Sequence, residues 1–451
     1  MIAGASSAPP KHPELSDPLL IGHVLSVADD LGFLTEPTMR QLTALGGVTA
    51  LDLGTCEKID QLWRDLIVDS IHALKVRDRR EKACIRKWDP HAPDNGRVRN
   101  QNTFGITELM DYFRGFVEYE SALYASETHY RDHVTHALRV WLIGAYILTH
   151  DSKVDDLDIG FTRVSPTERW AMWTLVSLCH DLGYPLEKTH KLNDAMNSML
   201  AHFGNISTSQ YHYAFQAQHH RLIETALDVI SSKAVGLGNG KFTTRIQAKY
   251  LSKFAHSLEE FQHGVVSVLV LLKTLVYFLE TDYDHSQSGL KREDARQFHI
   301  RREILRAIAS HTCTDIYHLE MNNLSFLLIL ADELQEWGRP AFRQLKLGRV
   351  GGLQAGVTIN ANDLKKGVFE ATVRYEPGAI DEKDVRRRFC EFGKLMRAAI
   401  EDNNRRISFK WTVLSDRKYV FVYDSNKEPF QELTYLIDGK TTDLYAESDE
   451  G

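Results

Sequence analysis

The sequence reads as a mainly α protein: an N-terminal helical extension, a larger helical domain and a small C-terminal α+β domain. Three observations carry this reading. Apolar residues recur at helical spacing through most of the chain between Leu19 and Arg339, broken by polar loops. Ser165-Pro166-Thr167-Glu168 is a helix start, with a capping serine, a proline at the first helical position and a glutamate that reaches back. After Pro340 the pattern changes: Gly367 to Tyr375 and Ile407 to Tyr423 alternate and are rich in Val, Thr, Phe and Tyr, as strands are.

In chain order, residues 1–18 read as a disordered tail, since Met1 to Pro13 is small and polar and lacks the apolar stretch of a secretory signal. Residues 19–105 form a helical region and a charged linker. Ile59, Leu62, Leu66, Ile67 and Ile71 mark a helix, whereas Arg77 to Gly105 is highly charged and carries the turn signals Asp89-Pro90 and Asp94-Asn95-Gly96. Residues 106–345 are the larger helical domain, with loops expected at Gly204 to Ser209, Val235 to Lys241 and Asp282 to Asp294. Its longest apolar run, Gly264 to Leu279, contains Lys273 and is too short to span a bilayer, so it reads as a buried core helix. Residues 350–440 are the α+β domain, in which Val385, Phe389, Phe392, Leu395 and Met396 place a helix between the strands.

Composition narrows the function classes. A chain of 451 residues with 43% hydrophobic content can bury a sizeable core in two or three domains. A net charge of -7 argues against a protein that coats nucleic acid, though it leaves a local basic channel open. Five cysteines without CxxC spacing suggest neither a zinc ribbon nor a disulfide framework, and read as free thiols of a cytoplasmic protein. Nothing points to a membrane, and a homo-oligomer is compatible with the sequence.

The strongest local chemical signal is His180-Asp181. Met172, Leu175, Val176 and Cys179 form an apolar stripe ahead of it. Gly183 can take the left-handed conformation that ends a helix, and Pro185 blocks continuation. The pair is therefore expected in the last turn of a buried helix, where imidazole and carboxylate can reach one cation beside the negative helix end. A His-Asp pair alone is a weak signal. Four more candidates lie on apolar helical faces: His136 with Val140, Ile143 and Ile147; His263 with Ser267, Val270 and Thr274; His311 with Ile304 and Ile308; and Asp332 after the apolar run Leu324 to Ala331. A single such histidine is more often a hydrogen-bonded core residue than a ligand. An unpaired buried carboxylate such as Asp332 is costly and finds a cation or a proton. Six such residues on separate segments are poorly explained as separate accidents.

The order of these residues resembles the HD superfamily of metal-dependent phosphohydrolases. The matching stretches are Thr135-His136-Ala-Leu-Arg-Val, Leu178-Cys-His180-Asp181-Leu-Gly, His263-Gly-Val-Val-Ser, Ala309-Ser-His311 and Leu330-Ala-Asp332-Glu, within about half the chain, Tyr130 to Pro340. The resemblance implies that His136, His180, Asp181 and Asp332 hold one divalent ion. His263 and His311 would add a second, with Asp181 bridging; His219 or His220 could stand in place of His263. The ions would be one or two of Mn, Fe, Mg, Co, Ni or Zn. Gly183 is followed by Tyr184, where the deoxynucleotide triphosphohydrolase branch usually has a histidine.

The implied activity is hydrolysis of a phosphoester or phosphodiester of a nucleotide or other phosphorylated small molecule. Two readings compete with it: a nucleoside triphosphohydrolase, and a metal-stabilised module that senses a nucleotide without turning it over. Such chemistry needs cations on phosphate and a proton donor for the leaving oxygen. Lys188 and Arg339 are candidates for the first, and His133 or His190 for the second, with Asp181, His133 and Lys188 as the catalytic set. Glu333 and Glu336 are candidates to accept hydrogen bonds from ligand histidines. Trp141, Trp170, Trp173 and Trp337 could stack a base, but aromatics at helical spacing are usually core. The runs Arg386-Arg387-Arg388 and Arg405-Arg406 could contact nucleic acid, yet read better as a solvated face.

Overall fold

Ser165 accepts the Glu168 N–H at 3.3 Å, and the Glu168 carboxylate accepts the Ser165 N–H at 2.8 Å. With Pro166 in the first turn, this reciprocal cap starts the helix Pro166–Cys179 where the sequence places it. In the computed structural model the described residues are 12–48, 51, 56–75, 105–123, 133–160, 164–200, 202, 217–238, 240–279, 289–313, 315–316, 320–340, 352–353, 355–401, 407–424 and 432–444. They form a mainly helical protein with a small C-terminal α+β domain.

The N-terminal helices are α1 (Asp17–Ser26), α2 (Ala28–Leu31), α3 (Glu36–Leu45) and α4 (Cys56–Lys75). The larger helical domain holds α5 (Ile106–Leu123), α6 (His133–Thr149), α7 (Pro166–Cys179), α8 (Tyr184–Leu200), α9 (Ala217–Ser231), α10 (Ala248–Glu259), α11 (His263–Thr274), α12 (Arg292–Ser310) and α13 (Leu324–Leu334). Helices α6 and α7 lie at its centre, with residues 133–148 of α6 all buried. They can touch because Gly144 has no side chain: a Cβ there would fall 1.9 Å from the Trp173 ring. Trp173 donates to the Trp141 carbonyl at 3.1 Å, Trp141 donates to Thr174 Oγ1 at 3.0 Å, and Trp63 of α4 donates to the Leu178 carbonyl at 3.0 Å. Trp141, Trp170 and Trp173 are thus core residues and not a base-stacking platform.

Several expectations need correction. Val235 to Lys241 belongs to a hairpin, β1 (Ser232–Gly238) against β2 (Lys241–Ile246), with Gly238 and Gly240 at positive φ in its turn. The apolar run from Gly264 is α11 only to Thr274, followed by a 3₁₀ turn at Val276–Leu279. The end of the supposed tail is part of the fold: Leu15 is buried and donates to the Val357 carbonyl at 2.7 Å, and Asp17 is buried in α1. The linker at 77–104, the loop Gly204 to Ser209 and Arg405-Arg406 lie outside the described residues.

In the C-terminal domain, β3 (Arg339–Pro340) pairs with β4 (Gly352–Leu353). Next come β5 (Ala355–Asp363), β6 (Val368–Tyr375), α14 (Glu382–Glu401), β7 (Ser408–Leu414), β8 (Lys418–Asp424), β9 (Glu432–Ile437) and β10 (Lys440–Thr442). They give a six-stranded sheet of order β10-β9-β8-β7-β6-β5, antiparallel except where α14 carries the chain from β6 to a parallel β7. Phe389 and Phe392 of α14 pack on Phe409, Trp411, Phe421 and Tyr435. The sheet is joined to the helices. Phe326 of α13 meets Phe409, and Asn362 donates to the carbonyls of Ile147 and His150 at the end of α6. Arg387 is exposed as a solvated face requires, but Arg388 is drawn inward to Glu336.

Candidate metal centre

Helix ends deliver the site. His136 projects from the first turns of α6, His180 is the residue that ends α7, and Asp181 follows it. His311 is the residue that ends α12, and Asp332 stands in the last turn of α13. His263 opens α11, and its backbone N–H donates to Glu187 at 2.7 Å. Gly183 does not act as a left-handed stop. A Cβ there would lie 2.4 Å from the His263 carbonyl and 2.7 Å from the Ser267 nitrogen, so glycine is required for α11 to press on the turn. Ser267 closes that contact, accepting from the Gly183 N–H at 2.7 Å and donating to the His180 carbonyl at 2.6 Å. Pro185 sits in the first turn of α8, where a missing N–H costs no helical hydrogen bond.

All six expected ligands are brought together. Asp181 Oδ2 lies 3.3 Å from His180 Nε2, 3.6 Å from His136 Nε2 and 4.0 Å from His133 Nε2. Its Oδ1 lies 3.2 Å from His263 Nε2 and 3.6 Å from His311 Nε2. Asp332 Oδ1 is 3.0 Å from His136 Nε2. Two overlapping groups, His136/His180/Asp332 and His180/Asp181/His311, each place their donor atoms within 4.8 Å of one another, close enough to share an ion.

The outward ring nitrogens show that the residues suit a metal. Nδ1 of His180 donates to the Ser177 carbonyl at 2.8 Å, and that of His311 to the Ile308 carbonyl at 2.6 Å. His263 Nδ1 meets Glu187 at 2.6 Å, and His136 Nδ1 meets Gln335 Oε1 at 2.7 Å. Each of these partners accepts, so each Nδ1 carries hydrogen and each Nε2 can turn a lone pair inward. His180 Nε2 is buried with no hydrogen-bond partner among the described residues. His263 Nε2 and His311 Nε2 face each other at 3.1 Å, an approach that two lone pairs tolerate only with a cation or proton between them.

The electrostatics agree. Burial pushes Asp181 up, but the adjoining imidazoles, His180 foremost and then His263 and His311, hold it well below the usual carboxylate range. Burial likewise raises Glu187, but His263 and Lys191 bring it to about 2. Burial lowers His263, yet its bonds to Asp181 and Glu187 raise it to about 9, whereas burial depresses His311. The cluster therefore favours a positive charge between His263 and His311.

The other expected residues divide. Lys188 lies 4.9 Å over the Tyr184 ring, which stacks on His133 with centroids 3.9 Å apart, so both stand beside the cluster. Burial and the nearby Lys191 bring the Lys188 amine down to about 8. His190 pairs instead with Asp194 and stacks on Phe261. His263 occupies the place beside Asp181, while the side chains of His219, His220 and Arg339 lie outside the described residues. The part expected of Glu333 or Glu336, orienting ligand histidines, falls to Glu187 and Gln335, which the sequence reading missed. Their only sequence signal is proximity to ligands, Gln335 to Asp332 and Glu187 to Asp181. No family model matches the chain, and neither a curated protein nor a solved structure matches it.

Proposed function

We propose that this chain is a metal-dependent phosphohydrolase of the HD type that cleaves a phosphoester or phosphodiester bond of a nucleotide-like substrate. The observation that carries the reading is Asp181, whose two oxygens address two different sets of inward-facing Nε2 atoms. His136, His180, Asp181 and Asp332 would hold one divalent ion; His263 and His311 would hold a second, sharing Asp181. The imidazole and carboxylate donors suit Mn, Fe, Co, Ni or Zn, with Mg the least favoured. Divalent ions held there would supply an acidified water as nucleophile and offset charge on the phosphoryl oxygens.

The chain's own residues supply the rest. Lys188, held over Tyr184 beside the cluster, binds the substrate phosphate. His133, buried and with Nε2 4.0 Å from Asp181, is placed to hold a proton for the leaving oxygen. Cys179, Cys313 and Cys390 are free thiols, which suits a cytoplasmic protein. No helix among the described residues is long and apolar enough to cross a membrane.

The test is phosphate release and product chromatography over a nucleotide panel with Mn²⁺, Co²⁺, Ni²⁺ and Mg²⁺. Turnover with monophosphate products is expected, and Asp181→Ala should abolish it in a protein that remains folded. Triphosphate or pyrophosphate release would move the reading to a triphosphohydrolase. Full metal loading with no turnover on any substrate would leave a sensing module.

A further inference from the structure

Two adjacent polar side chains at the end of α13, Gln335 and Glu336, are almost completely buried and point to different domains. Burying such groups is costly unless each is paired. Gln335 Nε2 donates to the Trp337 carbonyl at 2.6 Å, which fixes the amide and leaves Oε1 to accept from His136 Nδ1 at 2.7 Å. Glu336 turns to the C-terminal domain. It accepts from Arg388 of α14 at 2.9 and 3.4 Å and from the Tyr375 hydroxyl of β6 at 2.8 Å.

The same turn is clamped from the N-terminal side. Trp337 Nε1 donates to Asp17 Oδ1 at 2.9 Å, and Asp17 takes a two-pronged bond from Arg139 of α6, one helical turn beyond His136. Gly338, at φ +70°, lies against that guanidinium; a Cβ there would stand 2.8 Å from it. Gln335 therefore cannot leave His136 unless the whole turn moves, and the turn cannot stay if Glu336 loses its cation. A buried carboxylate stripped of its partner is an uncompensated charge, which the chain relieves by rearranging.

We propose that residues 335–338 form a relay through which docking of the C-terminal domain fixes the ring of His136 and so sets metal affinity at the His136/His180/Asp332 position. This deepens the metal-centre reading and rests on it, and Gln335 and Arg388 are positioning residues. Neither touches substrate.

The test reads the ring and the metal, not turnover. In metal-free protein carrying ¹⁵N-labelled histidine, the neutral His136 ring should be protonated at Nδ1. In Arg388→Met that preference should be lost, and metal affinity should fall roughly 10- to 100-fold, as for other residues that hold a ligand histidine. Gln335→Ala should do the same, and the double variant should be no worse than the poorer single one. Arg387→Met, an exposed neighbour, should leave both readings at wild-type values. If Arg388→Met does not fold, Tyr375→Phe removes one hydrogen bond to Glu336 at nearly constant shape and should weaken metal binding in the same direction. An unchanged His136 ring and unchanged metal affinity in the folded variant overturn the relay, as does an equal loss in Arg387→Met. Wild type that binds metal but hydrolyses nothing would sink the proposed activity while leaving the relay standing.

Discussion

Asp69 shows how one buried carboxylate ties two helices together and what it does to stability. It accepts the Thr35 N–H at 2.8 Å and the hydroxyls of Thr35 and Thr38 at 3.1 and 2.7 Å, fastening the start of α3 to α4. Burial raises its pKa from 3.8 to about 6 despite those three donors. A carboxyl that titrates higher folded than unfolded takes up a proton on folding between these two values. Its contribution to stability therefore grows as pH falls from above 6 to below 3.8, by at most about 3 kcal/mol. Denaturant unfolding of wild type and Asp69→Asn at pH 7 and pH 4.5 checks this: wild type should gain relative to the variant at the lower pH, and a relative loss would contradict it. The candidate ligands are legible singly, because His136, His311 and Asp332 each sit among apolar neighbours at helical spacing. Glu187 and Gln335 are not, since both act on a histidine from another helix and only tertiary contact reveals them.

Between elements, the turn from α7 to α8 and its contact with α11 decide whether the second half of the site can form. Gly183→Ala would insert a methyl against backbone atoms that cannot rotate away, which costs about 1–3 kcal/mol. It should push the start of α11 outward and lower the ion content of the purified protein by displacing His263. His263→Ala and His311→Ala test the same half directly: metal analysis without chelator should fall from about two equivalents to about one in either variant. One equivalent in wild type, unchanged in both, would reduce the site to His136, His180, Asp181 and Asp332. The element boundaries the sequence missed have local causes. Val235 to Lys241 carries three glycines and looks like a loop, yet two of them, Gly238 and Gly240, serve the turn of a hairpin. The sequence pattern suggests a conformational role for Gly183, but close approach is its reason.

For the whole molecule, the change of pattern after Pro340 points to the C-terminal α+β domain without revealing how closely it is joined to the rest. Leu15 pairs with β5, Asn362 caps α6, Phe326 packs on the sheet and Glu336 needs Arg388. None of these is visible as a pattern, because each joins residues far apart in sequence. A chain truncated after Phe342 would expose the apolar side of α13 and leave Glu336 buried without its cation. It should unfold or aggregate rather than survive as a smaller folded protein, whereas intact protein should melt in one calorimetric transition. A truncated chain that stays monomeric and keeps its metal would show that the two parts are independent.

Three of the segments that bear candidate ligands end at the centre with their carboxyl poles: α7 at His180, α12 at His311 and α13 at Asp332. Each such pole carries roughly half a negative charge, and Asp181 and Asp332 add to it. The amino poles of α6 at His133 and α11 at His263 face the same cluster and offset the carboxyl poles, so before ions bind it is the two carboxylates that oppose a phosphorylated ligand. On the proposed function, ions would bind first and substrate second, with release in the reverse sense. By thermodynamic linkage, whatever factor the ions add to phosphate affinity, phosphate returns to ion affinity. At equilibrium a chelator should therefore strip the resting protein at a lower concentration than it needs for the protein saturated with a non-hydrolysable nucleotide.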